Sequence, residues 1–261
     1  MARPMVMIIP TITVITTTTD IPMTIEPVNQ GALYRLLSFL SPAFPVGAFT
    51  YSHGLEQIIE DDGVTDTASL QEWLTDILTK GAGRSDAILL KETTTAAYSG
   101  DEHTVLELIE LGLALQPSRE RHLESSAQGT AFLKTVFNAW QPTGDTPATK
   151  LLIRLAGREA LDSWPYPVAI GLTVAAWEIE LKAAMTGFLH AFAANLISAA
   201  IRAVPLGQTD GQRVLASLEP VIFAVTEEAL SAGLDDLGTC TFLTDIASMA
   251  HETKYSRLFR S

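Results

Sequence analysis

Apolar residues recur three and four positions apart along most of this chain. The clearest run is 67–80, where Leu70, Trp73, Leu74, Ile77 and Leu78 fall on one helical face. Asp66 or Thr67 stands ahead of it as an N-cap, and Gly81 and Gly83 behind it as a stop. The same reading predicts helices over Gly31–Leu40, Ser85–Tyr98, a segment capped by Asp101 and ending before Pro117, Ser118–Trp140 with Pro117 in its first turn, and Leu151–Leu161. The alanine-rich stretch Val168–Val204 reads as two helices broken near Thr186-Gly187. Gln212–Ser231 reads as one helix with a kink at Pro220, and Leu237–Tyr255 as the last. Sustained alternation bounded by hairpin turns is missing outside the threonine-rich residues 1–30. The pattern predicts an all-α, single-domain helical bundle of about nine to ten helices over 31–255. The loop 141–148 is a weak boundary, since apolar helices continue on both sides. Residues 1–30, broken by Pro4, Pro10, Pro22 and Pro27, read as a disordered or loosely docked tail, with a short β-augmenting arm as the alternative.

One stretch departs from this periodicity. Residues 41–56, SPAFPVGAFTYSHGLE, carry Pro42 and Pro45, which remove backbone donors and bias their neighbours to extended geometry. Gly47 permits a backbone angle closed to other residues. Phe44, Phe49 and Tyr51 need cover. Ser52 reads as the N-cap of a helix through Leu55, Ile58 and Ile59, with Glu56 at its positive end. The stretch is either a packed interhelix corner or a rigid recognition surface.

Composition narrows the classes. A net charge of −13 disfavours nucleic acid and anionic membranes, and suits a basic partner surface. The single cysteine, Cys240, rules out an internal disulfide and fits a reducing cytoplasm. The uncharged run Ala183–Ile201 is long enough to suggest a membrane span. Its alanines, with Thr186, His190, Asn195 and Ser198, fit a buried bundle helix better, with His190 a satisfied core residue.

Chemical motifs are sparse. The five histidines, His53, His103, His122, His190 and His251, never fall four apart, and nothing matches a phosphate loop or a nucleophile elbow. The pairs Glu227-Glu228 and Asp235-Asp236 read as a solvated helix end and an N-cap. What remains is contact chemistry: Arg257, Leu258, Phe259 and Arg260 put basic and apolar side chains at the end of an acidic chain, as a frayed terminus or as a segment that orders on a partner.

The segments LSPAFPVGAFTYSHGLE, NLISAAIRAVPLGQTDGQRVL (195–215) and MAHETKYSRLFRS (249–261) occur in the order found in urease accessory proteins of the UreF family, which the chain resembles from Gly31 onward. The resemblance implies an all-helical, non-enzymatic chaperone of nickel insertion, dimeric and cytoplasmic, with no cofactor and with indirect nickel handling. It further implies binding to UreD (UreH), recruitment of the GTPase UreG, and service to apo-urease. Carried onto this chain, Gly47, Tyr51 and Ser52 form the platform for UreG, with His53 beside them. Arg257 braces that platform, its guanidinium satisfying loop carbonyls. The last helix and tail, with His251, Glu252, Leu258, Phe259 and Arg260, order against UreD. Thr50 stands where many relatives have serine, and Met23 is a candidate natural start. The alternatives are an α-helical enzyme with its active site at 41–56, and a peripheral membrane protein.

Overall fold

The computed structural model describes residues 29–158 and 161–261. Most of the expected tail, residues 1–28, lies outside the described residues; Asn29 and Gln30 belong to the first helix, whose Ala32 N–H the Asn29 side chain accepts at 3.1 Å. Among the described residues there are twelve α-helices and no strand. They are α1 (Gln30–Phe39), α2 (Leu55–Glu60), α3 (Thr67–Lys80), α4 (Ala82–Ser99), α5 (Glu102–Ala114), α6 (Arg119–Ala139), α7 (Pro147–Ala156), α8 (Tyr166–Ala176), α9 (Leu181–Ala203), α10 (Gln208–Ser217), α11 (Glu219–Ser231) and α12 (Phe242–His251). The all-α expectation holds; the count rises because the stretch read as one helix over Gln212–Ser231 is two, with a single residue, Leu218, separating α10 from α11.

Local sequence explains most boundaries. Asp66, Asp101, Ser118 and Thr146 each accept a first-turn backbone N–H as N-caps. Pro117 therefore lies outside α6 and not in its first turn. Pro220 sits in the first turn of α11, where its missing N–H costs nothing, so it marks a break and not a kink. The predicted break at Thr186-Gly187 is absent: α9 runs through it, because Gly187 makes room for Leu40, whose Cδ1 would lie 2.8 Å from an added Cβ. The chain breaks earlier, at Trp177–Ile179, where Glu178 has φ 51° and Glu180 accepts from the N–H groups of Lys182 and Ala183 at 2.9 and 2.6 Å. The last helix is shorter than predicted. Residues 237–241 precede it as an irregular segment pinned by Cys240 N–H on the Lys80 carbonyl at 2.9 Å. Asp235 and Asp236 are not N-caps: they lie within a 3₁₀ turn over Leu234–Asp236 whose N-cap is Gly233, and Asp236 accepts from the Gly233 N–H at 2.8 Å.

The core is a contiguous cluster centred on α8, buried from Pro167 to Ala176. Two close approaches fix it. Gly129 of α6 faces the Trp164 carbonyl, where a Cβ would lie 2.0 Å away, and Gly171 of α8 faces the Leu90 carbonyl of α4 at 2.5 Å. Thr94 Oγ1 donates across that second contact, 2.8 Å from the Leu90 carbonyl and 3.1 Å from that of Gly171. One described helix, α9, is long and apolar enough to cross a membrane, but only half of its apolar window is buried and it packs on α2, α3, α4, α10 and α11. His190 points outward from it and is exposed, not a core histidine.

Candidate functional site

The proline-rich loop wraps a corner of the core. Phe44 is buried against Phe39 and Phe132, with ring centroids 5.8 and 5.1 Å apart. Gly47, at φ 75°, reverses the chain into a 3₁₀ turn over Ala48–Thr50 that leaves Phe49 exposed. Tyr51, Ser52 and His53 then turn inward and are buried. His53 and Gly54 both have positive φ, 59° and 78°. Gly54 is obligatory there, since a Cβ would lie 2.9 Å from the Ser248 nitrogen of α12. Gly54, not Ser52, occupies the N-cap of α2. The Ser52 hydroxyl still accepts from the Glu56 N–H in the first turn of α2, at 3.4 Å, and also donates to the tail.

The tail, residues 252–261, lies along this loop. Ser52 donates both its backbone N–H, at 2.7 Å, and its hydroxyl to the Ser261 carbonyl. Arg260 N–H donates to the Thr50 carbonyl at 2.7 Å. Glu56 of α2 accepts from the backbone N–H groups of Leu258 and Phe259 at 2.9 and 3.0 Å. Ser261 Oγ donates to Glu124 Oε2 at 2.8 Å. Arg257 Nη1 donates to Glu120 Oε1 of α6 at 2.6 Å. The expected bracing of loop carbonyls by Arg257 is therefore not what forms: Glu120 is the nearer acceptor and carries full charge. Arg202 of α9 takes that part instead. It donates to the Phe49 carbonyl at 2.8 Å and lies over the rings of Phe49 and Phe259, 4.2 and 4.5 Å from their centroids.

Beneath the tail is a buried polar seam. His251, fully buried on α12, places Nδ1 2.7 Å from Glu120 Oε2 and Nε2 3.0 Å from Glu56 Oε2. Lys254 Nζ is 2.6 Å from Glu60 and 3.5 Å from Glu56. Ser118 and Ser248 share a hydroxyl hydrogen bond of 2.5 Å, and Arg119 N–H donates to Glu252 at 2.8 Å. Burial pushes the Glu56 carboxyl up, but the N–H of Leu258, the His251 ring, the N–H of Phe259 and Lys254 together hold it below its ordinary value. Burial likewise opposes ionisation of Glu124, yet Arg121 and His53 bring it down to about 2. Burial, with Arg121 nearby, lowers His53 to about 4, so the ring is neutral at pH 7.

The candidate residues thus divide. Gly47, Arg257, Leu258 and Arg260 are exposed, Glu252 is half-buried, and Tyr51, Ser52, His53, His251 and Phe259 are interior. The interior ones cannot touch a partner in this arrangement; they hold the exposed ones. Sequence reasoning missed Glu56, Glu120, Glu124 and Arg202. For the three acids the signal was present: carboxylates on inward faces of apolar helices need partners when buried. On the outer side of α12, Phe242, Leu243, Ile246 and Met249 form an exposed apolar stripe continued by Tyr255 and Leu258. Among the described residues no three His, Cys, Asp or Glu side chains cluster as a metal site. A cavity of about 210 Å³ opens beside His190 and Asn195 and is floored by Asp86, Arg121 and Glu124; burial raises Asp86 there to about 7.

A family model described as UreF matches residues 64–219, more than half of the chain. The chain belongs to the UreF family. It is 50% identical over 234 residues to the urease accessory protein UreF of Rhodopseudomonas palustris strain HaA2, covering 89% of this chain and 95% of the relative. It is 48% identical over 231 residues to that of strain BisA53, covering 88% and 94%. The protein of the same name from Bradyrhizobium sp. strain BTAi1 is 47% identical over 233 residues, covering 89% and 93%. The UreF model spans α3 to the junction of α10 and α11. The loop at 41–56 and the tail flank that span and meet in space.

Proposed function

We propose that this chain is a urease accessory chaperone for nickel insertion, acting by contact and not by catalysis. With UreD (UreH) it recruits the GTPase UreG to apo-urease, in the cytoplasm and as a homodimer. The observation that carries the reading is the seating of the tail on the loop. It brings the tail that carries the exposed Arg257, Leu258 and Arg260 onto the loop that carries the exposed Gly47 and Phe49, with Glu56 and Glu120 holding the tail and Arg202 the loop. Arginine and aromatic side chains held in place are the residues from which binding hot spots are made. In this reading the loop and tail meet UreG, while the apolar stripe of α12 and the adjoining tail meet UreD.

Co-purification tests it. The chain is expressed with its cognate UreD and UreG, with and without residues 250–261, and run by size exclusion at matched concentration. A ternary peak that forms only with the tail is expected. An equal peak without the tail removes the tail from the docking face. No complex with the intact chain in any nucleotide state refutes the chaperone role.

A further inference from the structure

His251 makes an unusual pair of contacts. Its ring is fully buried, and carboxylates from two different helices meet its two nitrogens, Glu120 at 2.7 Å and Glu56 at 3.0 Å. A carboxylate oxygen facing a ring lone pair is repelled, so each gap needs a hydrogen. A neutral imidazole supplies one; the second gap needs one more proton, whichever atom carries it. The charges around the ring point the same way. Glu56 and Glu120 face it from α2 and α6, with Lys254 and Arg257 from the tail and Glu60 behind Lys254. Three carboxylates and two cations leave room for one further positive charge.

These same carboxylates receive the tail. Glu56 Oε2 accepts from Phe259 N–H as well as facing His251, and the second oxygen of Glu120 accepts from Arg257. We propose that His251 is a positioning residue that makes closure of the tail proton-dependent. With the extra proton in place, Glu56 and Glu120 are held in register and the tail seats. Once it is lost, one carboxylate turns away and the donors of Leu258, Phe259 and Arg257 lose their acceptor. The consequence for docking rests on the proposed chaperone reading; the proton dependence itself does not.

The test is hydrogen exchange on the full chain, with protection of the Leu258 and Phe259 amides corrected for intrinsic rate at about pH 6 and about pH 9. Protection should fall at least about tenfold at the higher pH while amides of α4 and α8 keep theirs. A flat profile overturns the proposal. His251→Gln should abolish the pH dependence, and an unchanged fall in that variant also overturns it. Should His251→Gln not fold, Glu120→Gln decides: its amide N–H can fill the gap at Nδ1 beside a neutral ring, so the fall in protection between the two pH values should shrink at least about threefold. An unchanged fall overturns the proposal. Capture of UreD and UreG at the same two pH values separates the readings. Protection that changes without any change in capture leaves the proton switch standing and refutes the docking face.

Discussion

Two buried regions of this chain are held by opposite means. Where α8 meets α4 and α6, backbone approaches backbone at Gly171 and Gly129, and the polar atoms involved are threonine hydroxyls and carbonyls. Where α2, α6, α12 and the tail meet, the interior is filled by Glu56, Glu120, Glu124, His251 and Arg121. The first region is specified by size and is indifferent to pH. The second is conditional, since a buried charge is tolerated only while every partner is in place. A contact built the first way depends on shape alone, and one built the second way holds only while its partners do.

The sharpest way to break the first region is Gly129→Ala, whose Cβ would meet backbone on a chain with nowhere to move. At least about 3 kcal/mol of stability should be lost by denaturant unfolding. A loss under about 1 kcal/mol would show that the helices part easily. For the second region, Glu56→Ala removes the acceptor of two tail N–H groups and a face of His251. It should cost about 3 kcal/mol and strip protection from Leu258 and Phe259 while α8 keeps its own. Uniform loss of protection would mean that the two regions are one cooperative unit.

Asp86→Asn should go the other way. Asp86 titrates near 7 when folded against 3.8 ordinarily, so the native state holds the proton more tightly. Its contribution is present below about pH 4 and lost as pH rises through about 7. The amide should therefore stabilise the chain by roughly 2 kcal/mol at pH 8, fading towards acid, as read by thermal unfolding across pH. Glu124 has the reverse sign. Its contribution is complete above its ordinary value of 4.5 and lost as pH falls towards about 2, so the tail should come off in acid before the core melts. Arg257→Ala is the mildest change. The arginine is partly exposed, but its removal leaves the buried Glu120 with His251 alone, so about 1–2 kcal/mol should be lost, a shift of a few degrees with the fold intact, while the proposed UreG recruitment weakens. Unfolding of that variant, or unchanged recruitment, would remove Arg257 from the docking face.

The two regions also differ in how legible they were. The stripe through Leu70, Leu74, Ile77 and Leu78 named α3 outright, and all four are buried. The small residues at 125–129 fit a close helix contact, but only the fold shows that the Trp164 carbonyl fills it. Boundaries failed where a distant contact overrode a local signal, as at Gly187, which looked like a helix break and is a socket for Leu40. At the candidate site the exposed residues were readable from composition. Their supports were not, because Glu56, Glu120 and His251 stand far apart in the chain and none belongs to a local motif.

Periodicity, capping residues and three ordered segments were enough to determine the all-α class, most helices and the UreF family, since each rests on neighbours in sequence. Only the tertiary structure decided that Arg257 pairs with Glu120 and Arg202 with the Phe49 carbonyl, or that His251 bridges two helices. A buried charge chooses its partner by distance in the folded chain, and that distance exists only once the apolar faces have brought α2, α6, α9 and α12 together.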